Sequence, residues 1–114
     1  MAECLFCKIS TKQIAAKILY EDHTVMAFDD IAPQAPVHVL VIPRKHVASL
    51  AELGENDGQL LGHLTGVVNR LARERGIADS GFRVVVNNGA DARQSGGHLH
   101  LHLLGGRRFA WPPG

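Results

Sequence analysis

The sequence predicts an α+β fold, with roughly five short, mostly antiparallel strands in one sheet, one long helix packed on a face, and a short helix beside it. Three observations carry this reading. Short apolar runs recur along the chain, joined by polar or proline-containing connections too brief for crossover helices. Only Leu60 to Leu71 repeats its apolar residues at three- and four-residue steps over several turns. The 114 residues, 46% hydrophobic and 20% charged, supply one core and leave little room for a second, so 1–114 reads as a single domain.

The elements follow in order. Ser10 to Ala15 is the short helical candidate. Lys17–Tyr20 and Val25–Phe28 are apolar runs around Glu21-Asp22-His23-Thr24, which has the polar character of a hairpin turn. Pro33 and Pro36 exclude a helix interior or a central strand from the stretch 29–36, which is a rigid loop. Val37–Ile42 is the most apolar run of the first half and reads as a buried central strand ended by Pro43. Ser49 and Glu52 resemble a capping box, with Gly54 as the stop. Asn56 is placed to cap the long helix, whose apolar face is Leu60, Leu64, Val67, Val68 and Leu71. Arg70, Arg73 and Arg75 suit its C-terminal dipole, and Gly76 ends it. Phe82–Val86 is a strand, 87–97 a glycine-rich polar loop, and His98–Leu104 the last strand, ended by Gly105-Gly106. Trp111-Pro112-Pro113-Gly114 cannot be helical.

Composition narrows the function classes. The net charge of +1 is too small for a nucleic-acid binder that relies on a basic surface. No apolar run approaches the roughly 18–20 residues that span a membrane. The start, MAECLFCKISTKQ, carries charges where a signal peptide needs an apolar stretch, which points to a cytoplasmic protein with no membrane partner. Two cysteines do not make a disulfide framework.

Seven histidines are the anomaly. His98, His100 and His102 alternate with Leu99, Leu101 and Leu103, so a strand puts the imidazoles on one face and the leucines on the other, against the core. Nothing in strand structure calls for histidine, since valine or threonine would suit it better. Flanking glycines suggest a close approach to this backbone. Two chemistries compete: a metal site built on H-x-H with a further partner, or nucleophilic attack by imidazole on phosphorus with its neighbours neutralising the phosphate oxygens.

The run QSGGHLHLHLLGGR resembles the signature of the histidine-triad proteins. CLFCKI, AAKILYEDH, AFDDIAPQAPVHVLVIPRKH, VVVNNGADARQS and the final WPPG are similar in order and spacing to the Hint branch, the purine nucleoside phosphoramidases. The resemblance implies a dimeric fold of this kind and a hydrolase of AMP-amines and AMP-lysine. It would work through a nucleotidyl-histidine intermediate, releasing AMP or GMP. His100 would be the nucleophile. His102 would hydrogen-bond the phosphate, His98 would flank it, and His38 would support the triad from the neighbouring strand. Ser95 would contact the phosphate and help the amine depart, with Gln94 adding a donor. Asp30 would take the ribose hydroxyls, Ile31 and Phe28 would line the base pocket, and Asn87 would lie near phosphate and nucleophile. Arg93 stands where the family usually has glycine, and Gly96-Gly97 replaces a bulkier pair. Three alternatives remain beside this reading: a dinucleoside polyphosphate hydrolase, a three-histidine metal hydrolase, and a nucleotide-binding interaction module whose role needs no turnover.

Cys4 and Cys7 form C-x-x-C, a spacing that lets two thiolates share one metal, and equally suits buried small hydrophobes or a redox pair. In cysteine-bearing histidine-triad relatives two histidines complete a structural zinc site. The resemblance assigns these here to His46 and His98, with no metal required for catalysis. It also implies a homodimer, with Phe82–Val86 or the long helix at the interface and Trp111 near the partner's active site.

Overall fold

The computed structural model describes residues 4–114; the first three residues of the charged start lie outside them. Among the described residues are α1 (Leu5–Ser10), β1 (Ile18–Glu21), β2 (Val25–Asp29), β3 (Val37–Pro43), α2 (Gly58–Glu74), β4 (Phe82–Val85) and β5 (Leu101–Gly105). Two 3-10 turns, Leu50–Glu52 and Glu55–Asp57, precede α2. The five strands form one sheet in the order β1-β2-β3-β5-β4, every neighbouring pair antiparallel. Among the described residues, no helix is long and apolar enough to cross a membrane.

The period-two pattern of the strands divides the core into two layers. Val25 and Ala27 of β2, Val39 and Val41 of β3, and Leu101 and Leu103 of β5 meet Leu64, Val67, Val68 and Leu71 of α2. The alternate residues, Met26, Phe28, Leu40 and Ile42, face the other way and are covered by Phe6 and Ile9 of α1. β3 is buried along its whole length because both layers press on it. Its apolar continuity, VHVLVI, is therefore the pattern of a two-sided strand. His38 of β3 and His102 of β5 fall on the α1 side.

Several elements differ from their sequence reading. The short helix is Leu5–Ser10, not Ser10–Ala15. Cys4 caps it, its Sγ accepting from the Cys7 N–H at 3.3 Å, and it stops where Lys12 turns to a φ of 65°. Ser49 makes no capping bond; Leu50–Glu52 is a single 3-10 turn. Asn56 lies inside the second such turn. There the Gly54 N–H donates to Asp57 Oδ2 at 2.8 Å, and α2 begins at Gly58. The last strand starts at Leu101, so His98, at a bend, and Leu99 and His100 lie outside the ladder. The Leu99 N–H there donates to the Val47 carbonyl. Asp29, which the sequence would leave facing solvent, instead pairs with Arg75 at 3.1 Å and Lys17 at 3.6 Å.

What approaches the backbone after β5 is the fold itself. A Cβ on Gly105 would stand 2.5 Å from Ile77 Cδ1, and one on Gly106 (φ 92°) would stand 2.9 Å from Pro36 Cβ. At the other end of α2, Asp22 ties the β1–β2 hairpin to the helix. It accepts from Tyr20 Oη at 2.6 Å, from the N–H groups of Thr24 and Val25, and from His63 of α2. Burial alone would raise its pKa, but these bonds outweigh it and hold the carboxyl well below the ordinary range.

Candidate active site and metal cluster

The alternation of residues 98–103 does what its pattern requires. Leu99, Leu101 and Leu103 are buried against α2, each adding about 1.5–3 kcal/mol of apolar burial. The three imidazoles project to the α1 face. His100 and His102 stack edge to face, ring centroids 4.9 Å apart, and Phe6 packs on both His98 and His100.

Their protonation follows from hydrogen bonds. The Gln34 N–H donates to His38 Nδ1 at 3.0 Å, which leaves the proton of the neutral ring on Nε2. That Nε2–H faces His102 Nδ1 at 2.8 Å, so His102 accepts there and carries its own proton on Nε2. Among the described residues, the buried His102 Nε2 meets no hydrogen-bond partner. A buried donor left without an acceptor is uncommon and asks for an incoming oxygen. In His100, Nδ1 lies 2.8 Å from the His98 carbonyl oxygen, which can only accept; the ring therefore donates from Nδ1 and keeps a lone pair on Nε2. In His98, Nε2 donates to the Pro43 carbonyl at 2.8 Å, leaving the Nδ1 lone pair free.

Electrostatics favour the neutral rings. Burial, with the neighbouring His100 and His38, depresses the His102 pKa to about 4. Burial also lowers that of His38, although Asp30, 3.4 Å from its Nε2, pulls the other way. Asp30 is a carboxylate beside the triad that linear spacing did not reveal. Its Oδ1 accepts from the Ala32 N–H at 2.8 Å and its other oxygen faces His38.

A cavity of about 260 Å³ opens in front of these groups, on the scale of the smallest ligand clefts. His100, His102, Asp30 and Ser95 bring its polar groups. Phe28, Leu40, Leu5, Phe6 and Ile9 make its apolar wall, and Ile31, almost wholly exposed, stands at its mouth. The structure thus gathers most of the predicted residues in one place. Asn87 and Gln94 are not in the cavity wall. Gln94 is turned into the loop, its Nε2 donating to the Ala48 carbonyl and its Oε1 accepting from the Gly89 N–H, both at 2.9 Å. Arg93, beside it, sits at a φ of 61°, the left-handed region that favours the family's glycine.

Behind the triad, Cys4, Cys7, His46 and His98 converge. Cys4 Sγ is 3.3 Å and Cys7 Sγ 3.6 Å from His98 Nδ1, and Cys7 Sγ is 3.2 Å from His46 Nδ1. All four ligand atoms lie within 4.8 Å of one another and could hold a metal ion. The fit is good: tetrahedral Zn–S and Zn–N bonds place ligand atoms roughly 3.5 Å apart. The Pro43 carbonyl on His98 Nε2 is the outer partner that orients a ligating imidazole. Without a cation, burial and the hydrogen bond with Cys4 push the Cys7 thiol up.

A family model described as the scavenger mRNA decapping enzyme C-terminal binding domain matches residues 3–108. An uncharacterized HIT-like protein of Synechocystis is 51% identical over 115 residues, covering all of both chains. The chain belongs to the HIT-like family. Its fold agrees: a HIT family hydrolase from Legionella pneumophila superposes with a TM-score of 0.96 at 44% identity, over 98% of this chain and 100% of that one. A histidine triad protein from Clostridium difficile gives 0.93 at 40%, over 96% of each. The neighbours named as HIT family hydrolases support a hydrolase in general.

Sequence reasoning missed the α1 side of the cavity. Leu40 shares a face with His38 by strand parity and was legible. Leu5, Phe6 and Ile9 were not, because their position depends on where the two cysteines dock. The Gln34 N–H, which sets the tautomers, has no side-chain signal at all.

Proposed function

We propose that the protein is a purine nucleoside phosphoramidase. The observation that carries this reading is the pairing of a free His100 Nε2 lone pair with an unpartnered His102 Nε2–H at one cavity wall. His100 Nε2 attacks the phosphorus of an AMP-amine. The N–P bond to His100 forms and the bond to the amine nitrogen breaks. The amine leaves with a proton that solvent water passes through the Ser95 hydroxyl, a proton returned to solvent when water attacks in the second step, and His102 Nε2–H donates to a phosphate oxygen as charge gathers there. Water then attacks phosphorus, the His100–phosphorus bond breaks, and AMP or GMP departs. Asp30 takes the ribose hydroxyls, while Phe28 and Ile31 bracket the base.

Zinc in the Cys4, Cys7, His46 and His98 cluster fills all four positions with protein ligands, so it is structural and supplies no bound water. A homodimer through β4 agrees with its open sheet edge, where Val84 is exposed, and with the exposed Trp111 ring that a partner would cover.

The test is a steady-state comparison of AMP-amines with diadenosine polyphosphates, with and without chelator, beside His100→Ala. Phosphoramidate turnover that survives chelation and falls by several orders of magnitude in the variant supports the assignment. Preference for the polyphosphates, or near-normal activity in His100→Ala, overturns it.

A further inference from the structure

Six residues make α1, too few to hold a helix without tertiary support. Yet α1 supplies Leu5, Phe6 and Ile9 to the wall of the cavity. Its ties to the rest of the molecule are few in kind. Phe6 and Ile9 pack on the outer sheet layer, Arg44 donates to the Ser10 carbonyl at 2.8 Å, and the two cysteines meet His46 and His98. The last tie is placed with consequence. Cys4 and Cys7 bracket Phe6 in sequence. The Phe6 ring stands 5.8 Å from His98, a member of the cluster, and 5.0 Å from His100, whose free nitrogen faces the cavity. It also stands 5.8 Å from Phe28 of the same apolar wall. One aromatic ring therefore touches the metal cluster, the imidazole and the base side of the pocket.

We propose that metal and nucleotide binding are positively coupled, and that Phe6 is the positioning residue that couples them. This rests on the reading of the cavity as a nucleotide site. A metal ion joining both cysteines to His46 and His98 fixes the first turn of α1, and so fixes the Phe6 ring against His100 and Phe28. When the cluster is empty, packing, one arginine and the thiol–imidazole hydrogen bonds hold α1 in place of metal bonds, and the cavity wall is populated a smaller fraction of the time. A nucleotide then meets a site that is competent only in that fraction, and its apparent affinity falls accordingly. Linkage makes the effect mutual: whatever factor the metal adds to nucleotide affinity, the nucleotide adds to metal affinity.

The experiment uses the full chain under reducing conditions, metal-free after chelator dialysis or loaded with one equivalent of zinc. Calorimetry measures AMP binding to each form. Competition with a chromogenic chelator measures zinc affinity with and without saturating AMP. AMP is expected to bind about 5- to 50-fold more tightly to the zinc form, in the usual range of coupling between sites. Zinc affinity should rise by the same factor when AMP is present. Phe6→Leu should retain zinc at wild-type stoichiometry, bind AMP about as weakly as the metal-free protein, and shrink both factors toward one. A single AMP affinity in both forms overturns the coupling while leaving the nucleotide reading intact. Full coupling in Phe6→Leu overturns the role of Phe6. No uptake of zinc overturns the inference outright. AMP binding to neither form overturns the nucleotide reading and this inference with it.

Discussion

Replacing His38 with phenylalanine keeps a ring of similar size but removes the Nε2–H that reaches His102 Nδ1 at 2.8 Å. The side chain is 4% exposed, so water does not readily replace the lost partner. His102 Nδ1 and the Gln34 N–H both lose their bond. Gln34 is exposed, so water can meet its N–H, and the one enclosed atom left unmet, His102 Nδ1, costs about 1–3 kcal/mol. At about 2.1 cal/mol/K per residue, a chain of 114 residues loses about 4 °C of melting temperature per kcal/mol, so a drop of roughly 4–12 °C is expected. The second effect is chemical. With nothing donating to Nδ1, the His102 proton is no longer confined to Nε2, and the phosphate donor is lost in part of the population. His38→Gln is the control, because a carboxamide can accept from Gln34 with its oxygen and donate to His102 with its nitrogen. Two assays decide it: calorimetric melting, and long-range 15N NMR of the imidazoles, which distinguishes Nδ1–H from Nε2–H. The reasoning predicts Nε2–H for His102 in the wild type and in His38→Gln, and mixed tautomers in His38→Phe with about tenfold lower kcat. An Nδ1–H His102 in the wild type, or an unchanged tautomer and melting point in His38→Phe, refutes it.

Three further outcomes are expected. Asp30→Ala should weaken AMP by a charge-assisted bond, about 1.5–3 kcal/mol, and 2′,3′-dideoxy-AMP far less; equal losses by calorimetry would leave Asp30 a purely structural role. Arg93→Gly should raise stability by about 0.5–1 kcal/mol, because the left-handed backbone costs a side-chain-bearing residue more than glycine loses in chain entropy; a lower melting temperature would contradict this. Because the folded His102 pKa lies near 4 against an ordinary 6.5, the unfolded chain takes the proton first as pH falls. Stability is then full above pH 6.5 and declines toward pH 4 by about 3 kcal/mol. Denaturant titrations of His102→Asn should give a visibly shallower slope over that window.

Much of this was written in strand parity. The repeat of β5 and the unbroken apolar run of β3 place both strands centrally and put His38, His100 and His102 on a common face. The long helix and its buried stripe were equally plain. What failed was local and had physical causes. The helix at Leu5 was hidden because its cap is a cysteine sulfur, an unusual N-cap. Residues His98–His100 read as ladder because they continue the His/Leu alternation, though only the register with β3 shows that pairing begins at Leu101. Gln94 looks like a phosphate donor by composition, and the loop uses both ends of its amide to close itself. Of the glycines flanking the triad, Gly105 and Gly106 do meet a close approach, by Ile77 and Pro36, whereas nothing stands within 4 Å of a Cβ on Gly96 or Gly97.

The sequence writes the same letter three times at 98, 100 and 102, and the structure makes three different reagents of it. The distinction lies in what stands behind each ring. A carbonyl can only accept, so the Pro43 oxygen protonates one nitrogen of His98 and turns a lone pair toward the thiols. The His98 oxygen does the same for His100 and turns its lone pair toward the cavity. Behind His102 stands a donor, the His38 Nε2–H, itself fixed by the Gln34 amide, and the ring facing the cavity becomes a donor in turn. A lone pair and an N–H are thereby set side by side, on rings whose centres lie 4.9 Å apart. Reversing any one of these backing groups would exchange a lone pair for a proton at the working face. The proline that ends β3 and the loop amide at Gln34 therefore belong to the chemistry of the site as much as the histidines do.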